Sequence, residues 1–249
     1  MSKVPAVTLG FWIIKILATT LGETAGDTVS MTMNLGYLAG TAIFLSAFVI
    51  LVIFQIRARR FSAPLYWATI VASTTAGTTM ADFADRSLGV GYAGGSAILF
   101  GCVVVALALW WWREGSVSVN AIETPRVEAF YWITITFSQT LGTALGDWTA
   151  DDTGLGYEGA ALIFIAGLGL TAAAYFWTSL SRAWLFWIAF ILTRPLGATV
   201  GDFLDKPVAE GGLALSRPIA SAVIAVLMII GIWVFRQRAA RSRRAAVSD

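Results

Sequence analysis

The chain has 249 residues, 57% of them apolar and 13% charged, with a formal net charge of +2. That composition excludes a soluble domain and predicts a polytopic membrane protein. There is no histidine and a single cysteine, Cys102, so histidine proton shuttles, histidine–metal sites, Ser-His triads, thiolate clusters and disulfide frameworks are all excluded.

Apolar stretches predict eight helices, near 8–27, 35–56, 64–82, 91–112, 129–147, 157–178, 183–202 and 217–235. They come in pairs. The first helix of each pair carries one recurring pattern: Trp12 to Asp27, Trp67 to Asp82, Trp132 to Asp147 and Trp187 to Asp202, each pair fifteen residues apart. A glycine precedes each Asp by five residues (Gly22, Gly77, Gly142, Gly197). The copies start 55, 65 and 55 residues apart, so the protein is four versions of one two-helix unit. The longer middle step is a polar linker at about 113–128, and it divides the chain into halves 1–118 and 119–249. Two helices per unit return the chain to its starting side, so all four units share one orientation about the membrane normal, unlike inverted repeats.

The first helices carry small residues four apart: Gly22/Gly26, Gly77/Ala81, Gly142/Gly146 and Gly197/Gly201. Such faces allow close backbone approach in lipid. The expected fold is therefore an all-α membrane protein. Its first helices form an inner pseudo-fourfold or two-plus-two bundle, and the more uniformly apolar second helices wrap it. Gly36-Tyr37, Gly91-Tyr92 and Gly156-Tyr157 open the second helices, and repeat 4 departs with Gly212-Leu213. These Tyr and the repeat Trp read as interfacial anchors.

Basic residues set the topology. Lys3, Arg57, Arg59, Arg60, Arg113, Arg126, Arg182 and a tail from about residue 236 (Arg236, Arg238, Arg241, Arg243, Arg244) fall on one side, against Arg86, Lys206 and Arg217 on the other. Both termini are expected in the cytoplasm of a bacterial inner membrane. The tail reads as a contact with anionic lipid, and no nucleic-acid partner is expected. The first helix belongs to the repeat and is read as a retained span, not a cleaved signal.

At 100° per residue, Thr20, Glu23, Thr24 and Asp27 share one helix face. The equivalent faces carry Thr75, Thr78 and Asp82; Thr140, Thr143 and Asp147; and Thr199 and Asp202. Four such faces around one axis would form an oxygen-lined path with an acidic outer ring. Its ligands for a hard cation would be Glu23, Asp27, Asp82, Asp147 and Asp202. A structural alternative stands beside this: Asp as helix-end caps, and Thr bonded to their own helix carbonyls. The breaks in the repeat point to a specific site. Lys15 and Glu23 lie inside the first span, and Arg194-Pro195 replaces Thr19-Thr20, Thr74-Thr75 and Gln139-Thr140. A charge at bilayer depth costs about 2.5–3.5 kcal/mol, so it faces an interior and finds a partner. If repeats 1 and 4 are neighbours, Glu23 meets Arg194, with Lys15 a third member or an inner partner. Pro195 is expected to kink or unwind its helix.

The four repeats, with Trp12, Trp67, Trp132 and Trp187, resemble a bacterial family of polytopic, so-called membrane-anchored proteins built from tandem two-span repeats with a characteristic Trp. The resemblance implies architecture and location, not an activity. The stretch Gly22-Glu23-Thr24-Ala25-Gly26-Asp27-Thr28 is also similar to the acidic Glu-x-Gly-Asp signature of cation/proton exchangers for calcium and manganese. It departs by one residue of spacing, and repeat 1 alone has the Glu. The function expected is secondary transport or export of a small inorganic cation, without a cofactor and without enzymatic chemistry. The alternatives are a non-transporting scaffold or sensor partner, or a carrier of a small anionic or organic solute. Oligomeric state is left open.

Overall fold

A computed structural model describes residues 2–240. It contains eight α-helices and, among the described residues, no β-strand: α1 Leu9–Asp27, α2 Gly36–Arg57, α3 Ala63–Asp82, α4 Tyr92–Glu114, α5 Pro125–Asp147, α6 Gly156–Trp177, α7 Arg182–Asp205 and α8 Arg217–Val234. Their starts follow local chemistry. Thr8 caps α1 by accepting from Phe11 N, and Thr124 caps α5 by accepting from Val127 N. That cap, with Pro125 in the first turn, starts α5 four residues before the apolar run does.

Each of the first three repeat Asp is followed by a wider, five-residue π turn: Thr28–Thr32, Phe83–Ser87 and Trp148–Asp152. Gly36, Gly91 and Gly156 then take φ of +78°, +77° and +64°. A side chain tolerates that region poorly, which accounts for glycine before each second helix. Repeat 4 differs. Its α7 continues as an α-helix to Asp205, three residues beyond the repeat Asp, and a folded loop with Gly211 at φ +84° leads into α8.

The inner helices α1, α3, α5 and α7 form a closed ring in chain order, with α7 packed against α1. Each second helix packs on the first helix of the following repeat: α2 on α3, α4 on α5, α6 on α7, and α8 on α1. The last contact closes the circle and makes the arrangement pseudo-fourfold.

Glycine sets the ring's spacing. A Cβ added to Gly22 would meet Thr74, one on Gly77 would meet Gln139, one on Gly142 would meet Arg194, and one on Gly197 would meet Thr19, all at 3.0 Å or less. Those four partners occupy one repeat position, three residues before the glycine of their own copy. Each glycine thus receives the same residue of the next repeat, four times around. Gly26, Gly146 and Gly201 do the same one turn further on, against Thr78, Ala198 and Glu23.

Five helices (α2, α4, α6, α7 and α8) are long and apolar enough to cross a membrane. α1, α3 and α5 fall outside that set because their inward faces are hydroxylated and charged. α2 and α6 expose most of their apolar surface, as an outer layer does. Three of the repeat Trp are not interfacial anchors: Trp67, Trp132 and Trp187 are buried, and Trp12 is partly buried. They pack against a layer of Phe11, Tyr66, Tyr131 and Phe186, in which the Tyr66 and Tyr131 hydroxyls are 2.6 Å apart. Nor does Pro195 unwind α7, which runs unbroken from Arg182 to Asp205. Its ring fits over Gly142, where a Cβ would lie 3.0 Å from Pro195 Cδ.

At this Trp end, residues 2–6 are clasped by their neighbours. Lys3 Nζ donates to the last carbonyls of α2, Gln55 O (3.1 Å) and Ile56 O (2.9 Å), and pairs with Glu128 at 2.6 Å. Of the basic tail, Arg241, Arg243 and Arg244 lie outside the described residues.

Replacing Gly142 by Ala forces Arg194 and Pro195 aside, and overpacking of this kind costs about 1–3 kcal/mol. Thermal unfolding in detergent is expected to show that loss. Gly101→Ala, with open space around its Cβ, is expected to stay within roughly 0.5 kcal/mol of the parent.

Candidate functional site

The ring brings one inward face of each first helix to a common axis. Three consecutive layers of this axis are closed. Lys15, Ile70, Ile135 and Phe190 form one; Thr19, Thr74, Gln139 and Arg194 the next; Glu23, Thr78, Thr143 and Ala198 the third. All eight residues of the first two layers have 0 or 1% exposure, and the third is as tightly sealed. The open oxygen-lined path expected from the sequence is therefore not present in this conformation.

Arg194 crosses the axis from α7. Its Nη1 donates to Glu23 Oε2 of α1 at 3.0 Å. Its Nη2 donates to Thr78 Oγ1 of α3 (2.6 Å), to Thr143 Oγ1 of α5, and to Thr74 O at 3.4 Å. One guanidinium thus binds all three other inner helices. Thr78 in turn donates toward Glu23 Oε2 (3.3 Å) and Gly22 O (3.2 Å). The Nε of Arg194 is buried and unpartnered.

Lys15 lies one turn toward the Trp end, fully buried. It does not join the Glu23 pair. Its Nζ is 3.4 Å from Gln139 Oε1 and 4.2 Å from the centroid of the Phe190 ring. Gln139 Nε2 continues to Ser73 Oγ at 3.4 Å.

The hydroxyls divide into two sets. Thr20, Thr75 and Thr140 donate to the carbonyls of Ile16, Val71 and Thr136, four residues back in their own helices, which is the structural use of Thr in a helix. Thr24 contacts Leu21 O at 3.4 Å and accepts from Ser221 of α8 at 2.9 Å. Thr78 and Thr143 alone among the six serve the central charge.

The four repeat Asp are nearly fully buried at the opposite end. Asp27, Asp82 and Asp147 make no capping hydrogen bond to the turns that follow them. They are ion-paired instead. Arg86 holds Asp82 (3.1 Å) and Asp147 (3.5 Å). Lys206 holds Asp202 (3.3 Å) and Asp27 (3.5 Å), and Arg217 holds Asp27 (3.7 Å) and Asp205 (3.3 Å). These are the three cations that departed from the basic-side rule in the sequence; their role is as counter-ions of the ring. Burial alone would disfavour charge on Arg86, but Asp82 and then Asp147 outweigh it and hold the guanidinium firmly protonated. Lys206 is held charged in the same way by Asp202 and Asp27.

The five carboxylates named from the sequence as cation ligands do not converge. Among the described residues, one acidic group comes within ligand distance: oxygens of Asp27, Asp202 and Asp205 all lie within 4.8 Å of one another. Glu23, Asp82 and Asp147 are outside it, drawn to Arg194 and Arg86. Asp205 was not singled out by the repeat, because the same position, three residues after the repeat Asp, holds Ser30, Asp85 and Ala150 in the other copies. Tyr37, Tyr92 and Tyr157 stand over this acidic end, each within electrostatic reach of ring Asp and of Arg86 or Lys206.

The repeat matches the family described as Repeat of Unknown Function (DUF347), at residues 10–61, 65–116, 130–181 and 185–239. The chain belongs to this DUF347 repeat family. The four matches follow the four two-helix units seen in the fold. No curated protein and no solved structure matches the chain. The family therefore supplies the architecture, and the chemistry rests on the residues themselves.

Removing one partner of a buried ion pair leaves an unbalanced charge and costs about 3–5 kcal/mol, whereas replacing both is close to neutral. Arg194→Gln and Glu23→Gln are each expected to lower thermal stability in detergent by that amount, and the double variant to recover most of it. Additive losses in the double-mutant cycle would mean that the two side chains are not coupled.

Proposed function

We propose that this protein is a multi-pass transporter of a small inorganic cation, captured in a closed form. The cation is a hard divalent ion such as manganese, or one moved in exchange for protons or sodium. The reading places all eight helices across a bacterial inner membrane, with both termini and the Trp end cytoplasmic. α1, α3 and α5 count as spans because they stand in one ring with the apolar α7 and are shielded by the outer helices.

The observation that carries the reading is the fully buried Arg194–Glu23 pair, bonded to every inner helix at once. Ions in a bilayer interior are costly, and apolar packing would hold the ring at least as well. A pair that bridges all four movable elements is suited to a two-state switch. Glu23 releases Arg194 when it takes up a proton or cation, and the inner helices then rearrange. The charge balance of the Asp end supports a cationic cargo. There Asp27, Asp82, Asp147, Asp202 and Asp205 outnumber Arg86, Lys206 and Arg217 by two, and two bound protons or one divalent ion would balance them.

A second reading, a non-transporting scaffold, draws on the closed axis. The two separate in proteoliposomes of purified protein. Transport predicts Mn²⁺ or Ca²⁺ flux that collapses at least tenfold in Glu23→Gln while Thr75→Val leaves it intact. Absence of flux for these ions and for Na⁺ and protons in the parent protein would leave the scaffold. Flux of an anion that requires Arg194 and ignores Glu23 would replace the cation by an anionic solute.

A further inference from the structure

The four copies are alike in packing but unlike in charge at the Asp end. Arg86 and Lys206 occupy the same repeat position, four residues after the repeat Asp; Met31 and Asp151 stand there in repeats 1 and 3. Each cation holds the Asp of its own helix and the Asp of the next repeat in the ring. Arg86 joins Asp82 to Asp147, and Lys206 joins Asp202 to Asp27. Arg217 adds a second link across the latter interface, between Asp27 and Asp205. Among the described residues no cation joins Asp27 to Asp82, or Asp147 to Asp202.

We infer that the Asp end of the inner ring moves as two bodies, α3 with α5 and α7 with α1, which part at the two interfaces where no cation links the repeat Asp. The packing cannot make this choice. The same glycine-to-next-repeat contact recurs around the ring, and each second helix leans on the next first helix in the same sense. The ion pairs alone impose a twofold pattern on the fourfold one. Their carboxylates are buried, with side-chain exposures of 3–4% for the four ring Asp, while Lys206 is 7% and Arg86 29% exposed, so solvent and salt screen the Lys206 link less than the Arg86 link. The division runs across the chain order: the linker separates repeat 2 from repeat 3, whereas Arg86 holds them together. This inference does not depend on the protein's being a transporter.

The test uses double electron–electron resonance on the full chain in nanodiscs, with Cys102→Ser as background. Met33, Leu88, Thr153 and Val208 sit six residues after the repeat Asp in the four copies, and all are exposed. Each label site enters one joined pair and one unjoined pair, so local label motion cancels in the comparison. Met33–Leu88 and Thr153–Val208 are expected to give distance distributions at least twofold wider than Met33–Val208 and Leu88–Thr153. Arg86→Gln should widen Leu88–Thr153 alone, and Arg86→Lys should restore it. Lys206→Gln combined with Arg217→Gln should widen Met33–Val208 alone. Equal widths in all four pairs of the parent protein would overturn the inference, as would Arg86→Gln widening every pair alike while the protein stays monodisperse.

Discussion

Close approach at one glycine per repeat is the constraint on which the structure depends. Where helices lie in lipid there is no hydrophobic drive to associate, so contact distance and polar complementarity would decide their packing. Gly22, Gly77, Gly142 and Gly197 each admit the same residue of the following repeat. The ring therefore has a fixed order, a fixed sense and no interior gap at that level. With any side chain at these positions the inner helices would stand further apart, and the layers around Arg194 would open.

Because the ring is tight, its charges are committed. Arg194 reaches α1, α3 and α5 only because Gly142 leaves its stem room to cross. At the Asp end, among the described residues, these five carboxylates pair with three cations, all on elements beyond the repeat Asp. On the Trp side of Arg194 lies a sealed layer in which Lys15 has an amide oxygen and an aromatic face for company. The molecule is a closed bundle with charge stored at two depths, and the energetic cost of that storage is the strongest pointer to a conformational cycle.

Much of this was legible in the chain. Eight helices, their pairing, the shared orientation and the small inward faces all follow from periodicity and from the repeat. The meeting of Glu23 with Arg194 was legible too, conditional on repeats 1 and 4 being neighbours. Other elements were read differently. The repeat Trp suggested interfacial anchors, because an aromatic near the end of a span usually is one; the linker and the N-terminal segment fold over that end and bury it. Pro195 suggested a kinked or unwound helix; α7 does not unwind there, and Gly142 on the facing helix accepts the ring. Arg86, Lys206 and Arg217 looked like exceptions to a topology rule and are the counter-ions of the acidic ring. Asp205 is one acid among several at that end of the sequence, and only the order of helices around the ring brings it beside Asp27 and Asp202.

The sequence by itself determined that this is four copies of one helical pair, and where those copies break ranks. Both facts are local: hydropathy, spacing and residue identity carry them without any knowledge of neighbours. Only the tertiary structure decided which breaks meet, because ion pairing depends on the order of helices around the ring and on distances of about 3 Å. The closed axis, the division of the Thr hydroxyls between their own backbone and Arg194, and the joining of the ring Asp in twos by Arg86 and Lys206 all arise there. Each depends on the position of a side chain from another repeat, which no pattern within one helix specifies.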